Sequence, residues 1–229
     1  MSGAVPRHIG YIIDGNRRWA KENGLPSYEG HLAGYNAIKD VARATKEAGV
    51  EYISAYIFST ENWKRSEDEV KKLIGLVLKL ITSDLHFFIE ENVKLVVLGT
   101  RKGLDEKIVQ AIEKAERETA GGTDGTVALC FNYGGQLEIV DVVKKIVQSG
   151  VGEDSITTEL IEQNLYAPDV PPCDLIVRTS GEQRLSNFML WRAAYSEFIF
   201  LEKNWPEMTK DDVLAILDEY KRRQRRFGG

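Results

Sequence analysis

Short runs of apolar, mostly β-branched or aromatic residues recur along the chain at Ile9–Ile13, Tyr52–Phe58, Leu95–Leu98, Val127–Phe131, Leu175–Val177 and Phe198–Leu201. Between them the apolar positions fall into helical spacing, as through Val41 to Ala48 and from Ser66 to about Asn92. Strands that are apolar on both sides belong to a sheet covered on both faces. The alternation therefore predicts an α/β architecture, a single-domain, mostly parallel central sheet flanked by helices. Local signals mark the helix ends: Ser66 with Glu69 makes a capping box, Thr209 with Asp212 opens the last helix, and Gly49 closes the helix through Val41 and Ala48. No internal repeat or low-complexity linker marks a boundary, so residues 1–229 read as one domain.

One stretch departs from simple amphipathicity. From Ser66 to about Asn92, a stripe of Val70, Leu73, Ile74, Val77 and Ile81 is joined by Leu76, Leu78, Leu80, Leu85 and Phe87 lying off it. More than one face of this helix prefers to be dry. Two arrangements satisfy that preference, a core helix shared with a dimer interface or one wall of a long apolar tunnel.

Composition narrows the class. With 229 residues, 43% hydrophobic and 9% aromatic, the chain can bury a sizeable core without disulfides or a structural metal. Cys130 and Cys173 form no CxxC pair and no cluster with histidine, which points away from zinc and toward a reducing compartment. No apolar run approaches the roughly 18 residues of a membrane span, and Met1–Arg7 lacks a signal-peptide core, so a cytoplasmic protein is expected. The net charge of −5 is uneven: Lys221, Arg222, Arg223, Arg225 and Arg226 leave −10 for everything before them. That balance argues against a nucleic-acid surface. The basic end either stabilises its own helix dipole or contacts phosphate.

The candidate chemistry lies just beyond the strands, where α/β sheets bind their ligands. Asp14-Gly15-Asn16-Arg17-Arg18-Trp19 follows the first strand, combining an acid, a glycine that permits close backbone approach and two arginines opening a helix. Such a set suits a metal-bound polyphosphate. Ser59-Thr60-Glu61-Asn62-Trp63-Lys64-Arg65 follows the second strand, Arg178 to Ser186 follows the fifth, and Glu197 sits just before the sixth. Neither GxxxxGK[ST] nor a GxGxxG opening a helix is present, which disfavours a nucleotide enzyme.

In order and over nearly the whole chain, these segments resemble the cis-prenyltransferase family that includes undecaprenyl diphosphate synthase. The matching segments are His8 to Ala20 with DGNRRWA, Gly30-His31 with Ala33-Gly34, FSTENWKR from Phe58 to Arg65, Asn132-Tyr133-Gly134-Gly135, Leu175 to Trp191, Ala194 to Glu197, Trp205-Pro206 and Arg226-Phe227-Gly228. The trans-prenyl synthases rely on DDxxD, and the only Asp pair here, Asp211-Asp212, breaks that pattern at its fifth residue.

The resemblance implies a magnesium-dependent transferase joining isopentenyl diphosphate to an allylic diphosphate primer, giving a Z-configured polyprenyl diphosphate. It further implies a homodimer with peripheral membrane contact through the lipid product. On the matching positions, Asp14 and Glu197 are the Mg2+ carboxylates, and Gly15, Asn16, Arg17, Arg18, Trp19 and His31 hold the allylic diphosphate. Arg178, Arg184, Leu185 and Ser186 hold isopentenyl diphosphate, and Ser59, Thr60, Glu61, Trp63 and Arg65 line the substrate site. Asn62 matches the residue that assists proton removal; a neutral amide is a poor base, so it is read as orienting the alkene and relaying the proton toward phosphate. Arg226 and Gly228 reach the site across the dimer. Two positions depart from many members, Ser27 in place of an arginine and Gln183 in place of a histidine.

Two competing readings are a non-catalytic partner subunit and a magnesium-dependent diphosphate hydrolase. Partner subunits lack an intact aspartate motif, whereas Asp14, Asn62, Trp63, Arg178 and Arg184 are all present. A carbocation route needs a dry pocket, which the long helix and Ile57 with Phe58 would furnish. By strand alternation Ile57 and Ser59 share a face and Phe58 points away. Ile57 stands where many long-product relatives carry alanine, so a narrower tunnel and a product below undecaprenyl length are expected.

Overall fold

The structure is a computed structural model and describes residues 5–223. Six strands, β1 His8–Ile12, β2 Tyr52–Ser59, β3 Lys94–Leu98, β4 Thr126–Tyr133, β5 Leu175–Arg178 and β6 Glu197–Phe200, form one sheet in the order β3-β4-β2-β1-β5-β6. Every pairing is parallel, so every connection must cross a face of the sheet. The crossing helices are α1 Asn16–Glu22, α2 Ser27–Glu47, α3 Glu67–Ile81, α4 Leu85–Glu90, α5 Glu106–Glu118, α6 Gly135–Gln148 and α7 Thr158–Asn164, and α8 Lys210–Arg222 follows the last strand.

Both faces of the sheet are consequently dry. On one face Leu129 and Phe131 of β4 meet Leu73, Val77 and Leu80 of α3 and Ile112 of α5. Tyr11, Ile53 and Val177 meet Val41 of α2 and Ile216 and Leu217 of α8. On the other face Tyr56, Cys130 and Ile176 pack against Phe188 and Met189 from the segment after β5. Both cysteines are buried free thiols. Among the described residues no helix is long and apolar enough to cross a membrane.

Two local expectations are corrected. The helix expected from Ser66 to about Asn92 is two helices, α3 and α4, separated at Thr82–Asp84, with Thr82 at φ −123°, ψ −81°. Thr82 Oγ1 donates back to the Leu78 carbonyl at 2.6 Å, and short polar side chains of this kind compete with helical hydrogen bonding. The turn re-aims Leu85, Phe87 and Phe88 into the core beneath β3, which explains apolar positions lying off the stripe of α3. The second correction concerns β2. Tyr56 pairs with Cys130 and Phe58 with Phe131, leaving Ile57 as the extra residue of a β-bulge. Phe58 therefore packs on the same helix-covered face as Ile57, where strict alternation had placed it opposite.

Candidate active site

The carboxyl ends of β1, β2 and β5 converge on a polar cleft of about 320 Å3 lined by Asp14, Asn16, Arg17, Arg18, His31, Arg65 and Ser180 among others. Its shape depends on how closely α1 crosses α2. A Cβ on Gly34 would lie 2.1 Å from Asn16 Oδ1, so no larger residue fits at this crossing. The contact brings His31 of α2 beside the arginines that open α1.

Arg178 is the hub of one side of the cleft. Its side chain is only 4% exposed. Nη2 donates to Asp14 Oδ2 at 2.8 Å, and Nη1 donates to Ser186 Oγ at 2.8 Å and to the Arg184 carbonyl. Arg18 donates to the carbonyl and hydroxyl of Ser180. Glu182 accepts from Arg18 at 3.1 Å and from Arg184 at 2.5 Å, tying one strand-end loop to the other. Those bonds, with the Arg184 charge, hold the Glu182 carboxyl below its usual range.

The other side of the cleft is organised by Glu69. Its Oε1 accepts from Arg65 Nη1 at 2.9 Å and lies 3.5 Å from His31 Nε2 and 3.9 Å from Arg17 Nη1. Burial first, then the Arg65 charge, lowers the His31 pKa below 6.5 against the pull of Glu69. The imidazole is accordingly neutral near pH 7. In sequence Glu69 reads only as half of a capping box. Its amide does donate to Ser66 Oγ, at 3.4 Å, but its carboxylate turns to the cleft. Neither Glu69 nor Glu182 was expected as a site residue; the signal available was an acid four residues after Arg65 and another two before Arg184.

Four buried side-chain polar atoms lack a hydrogen-bond partner among the described residues: Asn16 Oδ1, His31 Nε2, Arg178 Nε and Asn204 Oδ1. Three belong to expected ligand-binding residues. Buried polar atoms are nearly always satisfied, so this concentration sets the surroundings of the cleft apart; Asn16 Oδ1 is held against Gly34.

The 3-10 turn Thr60–Lys64 carries the residues that follow β2. Asn62 Oδ1 accepts the Ser59 amide at 3.0 Å, and Trp63 Nε1 donates to Asn132 Oδ1 at 2.8 Å. Thr60 Oγ1 reaches Glu61 Oε2 at 3.2 Å, and Glu61 Oε1 accepts from Asn187 Nδ2 at 2.9 Å. Asn62 also borders an apolar cavity of about 110 Å3 between α2, α3 and β2, lined by Tyr35, Ile38, Ile57, Leu73, Val77 and Leu80 among others. Ile13, Asn16, His31 and Arg65 line both spaces, so the polar cleft opens into the apolar one. Deeper in, the Tyr35 ring lies between the Lys39 and Lys79 ammonium groups, each 5.1 Å from its centre, and its hydroxyl donates to Asp84. Lys39 pairs with the same carboxylate at 2.7 Å.

The remaining expected residues separate. Trp19 is half-buried on α1, and Leu185 packs against the Phe188 cluster. Ser27 and Gln183 are exposed; Lys21, Arg17 and Arg18 border the same open groove as Ser27. Glu197 does not join Asp14 within one chain. It is the first residue of β6, paired with Leu175, which in turn pairs with Ile9. It thus stands at the amino edge of the sheet, roughly 16 Å along the strand direction from the level of Asp14, and its Oε2 accepts from Arg223 at 3.0 Å. Arg226 and Gly228 lie outside the described residues.

Comparison with known proteins agrees with this fold. The family described as "Putative undecaprenyl diphosphate synthase" matches residues 12–228. An isoprenyl transferase of Thermotoga maritima is 43% identical, covering 98% of this chain and 97% of its own. One from Agrobacterium fabrum is 42% identical over 98% of this chain and 93% of its own. The crystal structure of lavandulyl diphosphate synthase from Lavandula x intermedia, in complex with dimethylallyl diphosphate, has a TM-score of 0.94 at 32% identity and covers 98% of this chain and 99% of its own. Fold, site and full-length similarity together lead to one conclusion: this chain belongs to the undecaprenyl diphosphate synthase family and is a prenyltransferase.

Proposed function

We propose that the protein condenses isopentenyl diphosphate with an allylic diphosphate in a magnesium-dependent reaction, giving a Z-configured prenyl diphosphate of short or medium length. One observation carries this reading: a cleft lined by Arg17, Arg18, Arg65 and His31 opens directly into an apolar cavity. Diphosphates need several converging donors, and a hydrocarbon tail needs a dry wall. The two requirements meet at His31, Asn16 and Arg65.

Arg17, Arg18 and His31 hold the allylic diphosphate, while Arg178, Arg184 and Ser186 hold isopentenyl diphosphate. During elongation the allylic carbon–oxygen bond breaks, a carbon–carbon bond forms to the alkene, and one proton is lost. Asn62 orients the alkene. Its carbonyl already accepts the Ser59 amide, so the proton passes to a diphosphate oxygen and not to this side chain. The apolar lining keeps water from the electron-poor allylic carbon.

Asp14 fits the part of magnesium ligand. Its carboxylate is 40% exposed at the edge shared by both groups of arginines, and magnesium commonly takes one or two carboxylates together with substrate phosphates and water. When bound, the metal would neutralise charge on the departing diphosphate. Glu197 serves no such role beside Asp14 of its own chain.

Lavandulyl diphosphate synthase binds dimethylallyl diphosphate, which makes that compound the first primer to try. The test is incubation with labelled isopentenyl diphosphate and a panel of allylic primers, with and without magnesium, followed by chain-length analysis. Magnesium-dependent elongation is expected. Phosphate release without elongation would replace this reading with a hydrolase. A homodimer is also expected, with deletion of residues 227–229 raising KM for isopentenyl diphosphate more than it lowers stability. Full activity from a monomer in light scattering would remove the shared site.

A further inference from the structure

The turn Asn132-Tyr133-Gly134-Gly135 leaving β4 supplies no ligand to either diphosphate, yet its contacts are specific. Asn132, at φ 49°, receives the Trp63 indole and donates to the Thr100 carbonyl at 2.8 Å. A Cβ on Gly134 would lie 2.7 Å from Thr60 Oγ1 and 2.8 Å from Asn187 Nδ2. Glycine is therefore what lets the Thr60–Lys64 turn and Asn187 close over this point.

Asn187 joins three strand-end loops, those after β2, β4 and β5. Its backbone is left-handed, φ 68°, which asparagine tolerates better than most residues. Its carbonyl accepts the Gly135 amide at 2.8 Å, its Oδ1 accepts the Gln136 amide at 2.8 Å, and its Nδ2 donates to Glu61 Oε1 at 2.9 Å. The amide orientation is fixed by this network, because a backbone N–H faces one end and a carboxylate the other. Glu61 precedes Asn62 and Asn187 follows Ser186, so one bond joins the alkene-orienting turn to the loop that Arg178 grips.

We propose that Asn187 is a positioning residue which, through Glu61, holds Asn62 in register with bound isopentenyl diphosphate; this rests on the reaction proposed above. Misalignment of reacting groups by about 1 Å costs on the order of 100-fold in rate. The allylic cradle of Arg17, Arg18 and His31 takes no part in the bridge.

Polarity reversal tests it. Asn187→Asp keeps the acceptor for Gln136 but sets two carboxylates against each other. Its kcat/KM for isopentenyl diphosphate should fall about 10- to 100-fold with KM for the primer unchanged. Adding Glu61→Gln rebuilds the hydrogen bond with donor and acceptor exchanged and should restore most of the loss. Asn187→Gly keeps the backbone conformation but deletes both side-chain bonds; it should lose as much, and Glu61→Gln should not rescue it. This second pair decides the matter if the aspartate variant fails to fold. Wild-type kcat/KM in either folded single variant, or no recovery in the reversed pair, overturns the proposal, as does a lowered Tm with unchanged kinetics. Amide exchange provides a readout independent of turnover. If the wild-type chain elongates nothing, the reaction falls, and faster exchange at Gln136 and Thr60–Lys64 in Asn187→Gly than in wild type still supports the bridge. Equal exchange overturns it.

Discussion

Asp14 and Arg178 meet across 164 residues of sequence, Oδ2 lying 2.8 Å from Nη2 of a guanidinium that is almost wholly buried. Asp14→Ala therefore has two separable effects. Turnover should be abolished, because the carboxylate fitted to magnesium is gone. Stability should fall by about 3–5 kcal/mol, since the buried Arg178 guanidinium loses its carboxylate and keeps only the neutral Ser186 hydroxyl and Arg184 carbonyl. Urea unfolding beside steady-state kinetics separates the two, and loss of cooperative unfolding would make Asp14 structural.

Product length should respond to the apolar cavity. Ile57→Ala trims the wall contributed by the bulge, enlarges the cavity and should shift the products to longer chains under matched substrate ratios. Ile57 is half-buried, so the cost in stability should be near the low end for such truncations, about 2 kcal/mol. Tyr35→Ala, which removes the ring held between Lys39 and Lys79, should lengthen them further. Mass spectrometry of the products checks both, and an unchanged distribution shows that neither side chain limits growth.

His8 gives a pH dependence unrelated to catalysis. Burial lowers its pKa from 6.5 to about 4, while Nδ1 and Nε2 sit 2.9 Å from the Pro171 carbonyl and 2.8 Å from Ser54 Oγ. The unfolded chain takes up the proton first as pH falls. The stabilisation is thus complete above about pH 6.5 and is lost progressively down to about pH 4, by as much as about 3 kcal/mol. Denaturant midpoints between pH 7 and 4 should show this slope, and His8→Gln should flatten it.

Arg192 and Glu138 form a fully buried pair, their side chains 2% and 1% exposed and 2.8 Å apart. Tyr133 OH donates to Glu138 at 2.6 Å, and Arg192 also donates to the carbonyls of Tyr166, Ala167 and Val170. Removing one partner leaves an uncompensated charge, so Arg192→Met should cost about 3–5 kcal/mol. Thermal unfolding measures it; a shift of only a degree or two would mean that Glu138 finds another partner or a proton.

The six strands were legible in the sequence because each is a contiguous apolar run, and a parallel sheet buried on both faces leaves that mark. Asp14, Arg178 and the Thr60–Lys64 turn were legible because they follow such runs directly, whereas His31, inside α2, was legible only through the family resemblance. What was hidden depends on partners distant in sequence. Glu69 looks like a cap until α2 brings His31 beside it, and Glu182 looks like a turn residue until Arg18 arrives from α1. The bulge at Ile57 exists only against β4, and the level of Glu197 only through the register of two strand pairs. The break at Thr82 did leave a local sign, Thr82-Ser83-Asp84, outweighed by apolar residues on both sides.

The strand order also dictates how much of the chain the catalytic cleft needs. β1 is made almost first, yet one of its two neighbours in the sheet is β5, some 165 residues later. β2 and β4 both precede Arg178 in the chain. Without β5, Asp14 and the arginines of α1 would stand at an open sheet edge, lacking the opposite half of the cradle. A chain ending before Leu175 would contain every residue that lines the apolar cavity and no complete site beside it.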